Sequence, residues 1–144
     1  MLEHIRVIDL CDGTSQFAGH ILARLGAEVI AVEPVEGVST RHSGPYVDDD
    51  PHLDFSLTHW AYNRGKKSVV LDIELEQDRE KFLRLIQSAD ILFEDCQPGY
   101  LESLGLSPLD LANTNPQIIH ASITPYGLTG PRSHWLGTDL TAAA

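Results

Sequence analysis

Hydrophobic positions in the first third of the chain follow a strand, helix, strand order. Residues 5–10 are rich in β-branched side chains and lead into turn-forming residues, which predicts a strand entering a loop. Residues 16–25 carry apolar side chains at helical spacing, and Gly26 is placed to end that helix. Residues 28–33 form a second strand, which Pro34 ends because proline cannot donate to a β-ladder. This order predicts a right-handed βαβ unit with parallel strands.

The same alternation repeats through the rest of the chain. The pattern predicts a strand at 68–72, a helix at 75–88, a strand at 90–94, a short helix at 100–104, a helix capped by Ser107 and Pro108 and ended by Asn115-Pro116, and a buried strand at 118–123. Alternating strands and helices are typical of the α/β class. We therefore predict one Rossmann-like domain over residues 1–144, with a doubly wound, mainly parallel sheet.

Three segments interrupt the periodicity. Residues 36–59 are irregular and hold the acidic run 48–50, so we expect a long, solvated loop there. Residues 127–137 form a loop containing glycine and proline. Residues 138–144 show the start signals of a helix without stop signals, so we expect this chain to be the front part of a longer protein.

Composition narrows the classes of partner. Apolar residues make up 42% and charged residues 22%, which indicates neither disorder nor a membrane span. Twenty-one acidic residues against ten basic ones give a net charge of -11, which disfavours nucleic acid and anionic membranes. An anionic small ligand remains compatible with this charge if backbone N–H groups hold it. The first residues lack the pattern of a secretory signal, so we expect a cytoplasmic location.

The fold class predicts where a ligand would bind. Ligands of doubly wound sheets bind at the carboxyl ends of the strands, and here those ends lead into loops at 11–15, 33–34, 72–74, 95–99 and 124–127. Each loop taken alone is typical of an ordinary turn. The prediction of a ligand site therefore rests on the convergence of these loops into a crevice lined with backbone donors. Glu33 stands where dinucleotide-binding folds carry a ribose-binding acid, but the first loop has a single glycine, Gly13, which argues against a nicotinamide site.

Histidines and cysteines offer no clear metal or nucleophile site. The seven histidines lack metal-ligand spacing, and we interpret His20 and His120 as structural. Cys11 and Cys96 are too few for a disulfide framework or a zinc site, so we predict no metal. Cys96 follows the fourth strand and could be a nucleophile, but no base is identifiable, which favours a structural loop residue.

Motifs spaced along the whole chain carry a family resemblance. They are VIDL at 7–10, LGAEVI at 25–30, EP at 33–34, NRGKKS at 63–68, LD at 71–72, ADIL at 89–92, PG at 98–99, LG at 104–105, NP at 115–116, ASI at 121–123 and TGP at 129–131. In this order they resemble the N-terminal portion of family III CoA-transferases, the CaiB/BaiF type that includes formyl-CoA transferases. The resemblance is specific for the family but not for a substrate.

The resemblance implies transfer of coenzyme A from an acyl-CoA to a carboxylic acid. In such enzymes an aspartate attacks the thioester, giving an enzyme-acyl anhydride and a CoA thiolate, while backbone N–H groups hold the oxyanion. The family's nucleophile is expected shortly beyond Ala144, so we assign no catalytic residue within the chain. Asp139 corresponds to a conserved Gly-x-Asp step and is not the nucleophile.

The resemblance also bears on two alternative functions, a racemase and a non-catalytic module. Related racemases of 2-methylacyl-CoA esters carry a catalytic histidine where Thr138 stands, and threonine cannot shuttle a proton at neutral pH, which favours a transferase. A non-catalytic CoA-binding or interaction module is the other alternative. The family forms interlaced homodimers, so we expect this chain by itself to expose surface meant for the partner and for its missing half, which promotes association or misfolding, and to be inactive alone.

Motif correspondence implies a set of CoA-binding positions. They are Thr14, Ser15, Pro34, Leu71, Asp72, Ile73, Glu74, Asp95, Cys96, Gln97, Ser103, Thr124, Pro125, Tyr126 and Gly127. The formyl-CoA branch has basic residues at four of these positions, Pro34, Glu74, Ser103 and Thr124, and an asparagine at Asp95. We therefore expect phosphate contacts to be lost or supplied by backbone donors. Arg41 and the basic run of Arg64, Lys66 and Lys67 could compensate, although a solvated role is favoured for that run.

Overall fold

Five strands form one parallel sheet. The computed structural model describes residues 1–138 and 140–141, and its strands are β1 (Arg6–Leu10), β2 (Glu28–Glu33), β3 (Lys67–Val70), β4 (Ile91–Glu94) and β5 (Ile119–Ser122). The strand order is β3-β2-β1-β4-β5, and every neighbouring pair is parallel. The α/β prediction is confirmed, and all five predicted strands are present with ends shifted by one or two residues. The chain changes direction across the sheet between β1 and β4, which makes their carboxyl ends a topological switch point.

Helices cover both faces of the sheet. They are α1 (Gln16–Arg24), α2 (Leu57–Asn63), α3 (Glu76–Gln87), α4 (Tyr100–Ser103) and α5 (Pro108–Thr114). The buried hydrophobic residues form two clusters. Val7 belongs to the smaller cluster, whereas its neighbour Ile8 belongs to the larger one with Phe82 and Leu111. Because successive residues of a strand point to opposite faces of the sheet, the two clusters lie on opposite faces of it. The predicted cap of α5 is present, because the Ser107 side chain accepts a hydrogen bond from Asp110 N.

The segment at 36–59 is largely exposed, as expected of a solvated loop, but it is more ordered than the sequence pattern predicts. It contains 3₁₀ helices at Ser39–His42, Val47–Asp49 and Leu53–Phe55 and the first turn of α2, a helix that the sequence pattern did not reveal. Three polar side chains in it are buried, namely Thr40, Ser56 and His59. The Ser56 hydroxyl donates to Thr40 O at 2.7 Å, which fastens one part of the segment to another. Hydrogen bonds between polar groups hold this segment, and such bonds leave no hydrophobic period in a sequence.

The predicted C-terminal helix lies partly outside the described residues. Asp139 and residues 142–144 fall outside, whereas Leu140 and Thr141 are helical. Thr138 N donates to Thr141 Oγ1 at 2.8 Å, and Thr141 N donates to Thr138 Oγ1 at 3.3 Å. This reciprocal pair resembles a capping arrangement at a helix start. Among the described helices, none combines the length and apolarity needed to cross a bilayer.

Candidate functional site

A crevice of about 450 Å³ opens at the carboxyl end of the sheet, beside the switch point. Its walls come from the ends of β1, β2 and β4, the segments that follow β2 and β3, and Tyr100 of α4. The apolar part of its lining consists of Leu10, Val32, Pro34, Val35, Val38, Leu71 and Ile73. This volume falls within the range typical of small-molecule sites.

The crevice brings together about half of the predicted binding positions. Pro34, Leu71, Asp72, Ile73, Glu74, Asp95 and Cys96 line it. The remaining positions lie elsewhere and are Thr14, Ser15, Gln97, Ser103, Thr124, Pro125, Tyr126 and Gly127. Gln97 lines a small neighbouring pocket with His120, the Ser103 hydroxyl donates to Tyr100 O at 2.7 Å, and the ring of Tyr126 packs edge-on against Trp135. The full set of predicted positions remains a prediction.

Two lining residues come from segments that carried no strand-end signal. Val38 follows β2 by five residues, and Tyr100 begins α4. The hydroxyl of Tyr100 donates to Glu74 Oε1 at 3.1 Å, which connects α4 to the segment after β3. Only the packing of α4 against the sheet brings these positions together, so residue order alone could not identify them.

The crevice is strongly acidic. Six of its lining residues carry carboxylates, namely Asp12, Glu33, Glu36, Asp72, Glu74 and Asp95, and no lysine or arginine is found in the lining that the structure describes. Burial raises the pKa of Asp95, and hydrogen bonds from Asp12 N and the Ser15 hydroxyl only partly oppose this. The basic residues that we expected to compensate are therefore not in the crevice.

Backbone N–H groups at the first loop are already bonded to carboxylates of the chain. Asp12 N donates to Asp95 Oδ1 at 3.0 Å, and Cys11 N donates to Asp9 Oδ1 at 3.1 Å. Gly13 N and Ser39 N both donate to Asp12 Oδ1, at 2.6 Å and 2.8 Å. The Asp12 carboxylate thus occupies the place that an external anion would take at such a loop.

Backbone N–H groups in the loops after β3 and β4 are also bonded to carboxylates of the chain. Asp72 N donates to Asp78 Oδ2 at 3.1 Å, and Glu74 N donates to Asp72 Oδ1 at 3.0 Å. Cys96 N donates to Glu94 Oε2 at 2.8 Å. We expected backbone donors to line this crevice, but these donors are satisfied internally. What the crevice presents instead is carboxylate oxygen, which accepts hydrogen bonds.

Arg41 is held by a buried acid next to the crevice. Its Nη2 donates to Glu33 Oε1 at 2.9 Å, its Nε donates to Glu33 Oε2, and its Nη1 donates to Asp54 Oδ1 at 3.0 Å. Burial alone would raise the pKa of Glu33, but the bonds from Arg41 and Ser68 outweigh it and lower that pKa. Glu33 is therefore occupied by internal partners, and neither it nor Arg41 is free for a ligand.

The Lys66 side chain is buried, which corrects the prediction of a solvated basic run at this one residue. Its ammonium donates to Asp9 Oδ2 at 2.7 Å, to Gln16 O at 2.7 Å and to Asn63 Oδ1 at 2.8 Å. Three acceptors satisfy all three of its donors. Lys67 remains exposed and pairs with Glu28. The run thus consists of one residue with a buried side chain, Lys66, and two exposed residues, Arg64 and Lys67.

Both cysteines remain thiols near neutral pH. Burial raises the pKa of Cys96 to about 12, and neighbouring Glu94 and Asp95 add to the effect. Burial likewise raises the pKa of Cys11, and Asp9 and Asp95 contribute. A nucleophilic cysteine needs a thiolate, so this environment favours the structural interpretation of Cys96. The described residues include no group of three or more side chains placed to hold a metal ion.

The chain belongs to CoA-transferase family III, whose family model matches residues 2–144. It is 40% identical over 142 residues to the succinyl-CoA:(R)-benzylsuccinate CoA-transferase subunit BbsE of Thauera aromatica, covering 99% of this chain and 35% of that protein. It is 42% identical over 144 residues to the acetyl-CoA:oxalate CoA-transferase of Acetobacter aceti, covering 99% of this chain and 36% of that protein.

Solved structures show the same fold. A CAIB/BAIF family protein from Brucella suis superimposes with a TM-score of 0.89 at 36% identity, covering 97% of this chain and 37% of that one. The structure of Rv3272 from Mycobacterium tuberculosis gives a TM-score of 0.84 at 40% identity, covering 97% and 38%. The chain therefore spans a little over a third of the length of the relatives it matches.

Proposed function

We propose that the protein of which this sequence is a part transfers coenzyme A between an acyl-CoA and a carboxylic acid. The observation that carries the proposal is the crevice at the switch point of a chain that belongs to a CoA-transferase family. Relatives named as acting on benzylsuccinate and oxalate support an acid as acceptor. In this proposal the chain supplies a binding site for part of CoA, and the protein acts in the cytoplasm.

The proposed chemistry uses an aspartate carboxylate that we expect outside this sequence. That carboxylate attacks the acyl-CoA carbonyl, forming an anhydride and releasing CoA thiolate. The thiolate then attacks the enzyme's own carbonyl, which frees the donor acid and leaves an enzyme thioester. The acceptor carboxylate repeats the two steps in the opposite direction. The residues of this chain hold CoA during the exchange so that the thiolate stays near the reacting carbonyl.

Calorimetric titration of the longer protein with CoA tests the binding role of this chain's crevice. We expect saturable binding at one site. Val35 is 74% exposed at the crevice, so Val35→Asp should weaken binding by adding charge and removing apolar surface without disturbing the core. Leu109→Asp is the matched control, because Leu109 is 70% exposed on α5 and is not part of the crevice lining. Equal weakening by both variants, or no binding of CoA at all, contradicts the proposed site.

Isotope transfer tests the anhydride in the longer protein. If the acceptor acid carries oxygen-18 in its carboxylate, breakdown of the second anhydride leaves one labelled oxygen on the enzyme carboxylate. Mass spectrometry of the digested protein should then find label on one aspartate peptide. Turnover without label in the protein would contradict a covalent mechanism.

A racemase is the alternative that Thr138 argues against. Racemisation needs a group that removes the α-proton, and a threonine hydroxyl is not a base at neutral pH. Thr138 also takes part in the capping pair with Thr141. With a 2-methylacyl-CoA in deuterated water, we expect α-proton exchange to be far slower than CoA transfer. Exchange as fast as transfer would contradict this assignment.

We also propose a homodimer for the longer protein. The α1 face exposes Phe17 and Ile21, and Trp60 of α2 is exposed as well. Exposed apolar groups of this size commonly lie at an interface. Sedimentation equilibrium of the longer protein should give twice the monomer mass, and a monomer at micromolar concentration would contradict the proposal.

A further inference from the structure

The polar groups of the crevice accept hydrogen bonds and do not favour a phosphate. Six carboxylates line the described crevice, of which Glu33 is paired with Arg41, and the backbone donors of Asp12, Gly13, Glu74 and Cys96 are bonded to carboxylates of the chain. A phosphate would meet negative charge here, and no lysine or arginine is found in the described lining to offset it. Hydroxyl and amino groups, in contrast, would find acceptors.

The lysine and arginine side chains near the crevice are not available to bind a phosphate. Arg41 is the basic residue next to β2, and its guanidinium already binds Glu33 and Asp54. Arg79 lies behind the loop after β3, where its Nη1 donates to Ile73 O at 3.0 Å and Glu74 O at 3.1 Å. Lys66 is enclosed by its three acceptors. Each of these cations has internal partners, so moving one to a phosphate would break existing bonds.

The end of the second strand is a known point of discrimination in dinucleotide-binding folds. An acid there accepts a hydrogen bond from a ribose hydroxyl, whereas an arginine there accommodates a phosphate on the same ribose. In this chain the acid at that point, Glu33, is bonded to Arg41, and the exposed Glu36 that follows β2 lines the crevice. Glu36 therefore offers an acceptor for a ribose hydroxyl, and Arg41 is not available for a phosphate. Exposed Val35 offers an apolar surface for a base.

We propose that this crevice binds the nucleoside end of its ligand through hydroxyl and amino groups and does not recognise the ribose 3'-phosphate of CoA. The inference rests on the proposed CoA-binding function. The proposal predicts that 3'-dephospho-CoA binds with an affinity equal to that of CoA, because the 3'-phosphate gains no partner in the crevice and lies near its carboxylates.

Parallel calorimetric titrations of the longer protein with CoA and 3'-dephospho-CoA test the proposal. We expect dephospho-CoA to bind as tightly as CoA, within about threefold, or more tightly. A preference for CoA larger than that overturns the inference but leaves CoA binding intact. Failure of both ligands to bind overturns the proposed function and the inference with it.

Charge-reversal variants sharpen the test. Glu36→Lys places a cation in the crevice at an exposed position, and we expect it to raise the affinity for CoA over dephospho-CoA by about tenfold, since it adds a partner for the phosphate. Glu74→Lys is a second variant of the same kind if the first folds poorly. Glu3→Lys is the matched control, because it makes the same change in net charge at the opposite, amino end of β1. Equal responses of CoA and dephospho-CoA to the crevice variants would overturn the proposal.

Discussion

Lys66 and Asp9 form an ion pair in the interior of the domain. The Lys66 ammonium lies 2.7 Å from Asp9 Oδ2, and the two side chains are only 2% and 1% exposed. The other Asp9 oxygen accepts a hydrogen bond from Cys11 N at the start of the first loop. The pair therefore connects the approach to β3 with the loop that forms one wall of the crevice.

Removing one partner of this pair should destabilise the domain strongly. Lys66→Met leaves a buried carboxylate without its cation, and we expect the free energy of unfolding to fall by about 3–5 kcal/mol. Urea denaturation followed by circular dichroism measures it. The matched control is Lys67→Met, whose ammonium is exposed, and it should leave stability nearly unchanged. Similar losses in the two variants would contradict the distinction between them.

Gly19 of α1 packs against Asp9. A β-carbon at this position would collide with Asp9 Oδ2. We expect Gly19→Ala to lower stability even though alanine is intrinsically better in a helix by about 1 kcal/mol. Ala18→Gly is the reference for propensity alone on the same helix, and it should cost about 1 kcal/mol. An increase in thermal stability for Gly19→Ala would show that the close packing is not as described.

His59 should make stability depend on pH. Burial lowers its pKa, and the charge of Arg41 adds to the effect. Between the folded pKa and the unfolded value near 6.5, the unfolded chain binds more protons, so the contribution of His59 to stability should rise with pH through this window and stay constant on either side of it. His59→Gln should flatten this part of the profile in urea titrations at several pH values. Exposed His134→Gln should retain the original slope, and equal flattening by both would exclude His59 as the cause.

Arg41 should stabilise the domain through Glu33. The lowered pKa of Glu33 means that its contribution is present above the unfolded pKa and lost as pH falls through the folded pKa. We expect Arg41→Gln to cost a few kcal/mol at pH 7, roughly the cost of leaving a buried carboxylate unpaired, and less near pH 4, where the carboxyl can take a proton. Asp54→Asn removes the exposed partner of Arg41 and should have little effect. A pH-independent loss in Arg41→Gln would contradict this linkage.

Local sequence patterns predicted the fold well. The strands at β1, β2 and β4 are short apolar runs with turn signals at their ends, and such runs are visible without tertiary information. Ser107 and Pro108 predicted the start of α5, because capping is a contact between residues a few positions apart. The βαβ rule then required parallel strands and located the crevice at their carboxyl ends.

The prediction was wrong where structure depends on polar contacts between distant residues. Thr40 donates to Gln16 Oε1 at 2.9 Å across 24 positions, and Asn63 donates to the same oxygen at 3.0 Å. These bonds bury parts of a segment that reads as a solvated loop. Lys66 is likewise part of a basic run in the sequence, but its side chain lies in the interior of the domain, where it pairs with Asp9.

The sequence by itself determined the five strands, every α-helix except α2, the parallel sheet and the end of the sheet that holds the crevice, because these follow from hydrophobic period, turn residues and chain chirality. Tertiary structure alone decided what the crevice offers to a ligand. Whether a backbone N–H group is free depends on which distant carboxylate reaches it, as Asp95 reaches Asp12 N across 83 positions. The convergence of strand-end loops predicted a crevice lined with backbone donors, and the packing bonded several of those donors to carboxylates of the chain.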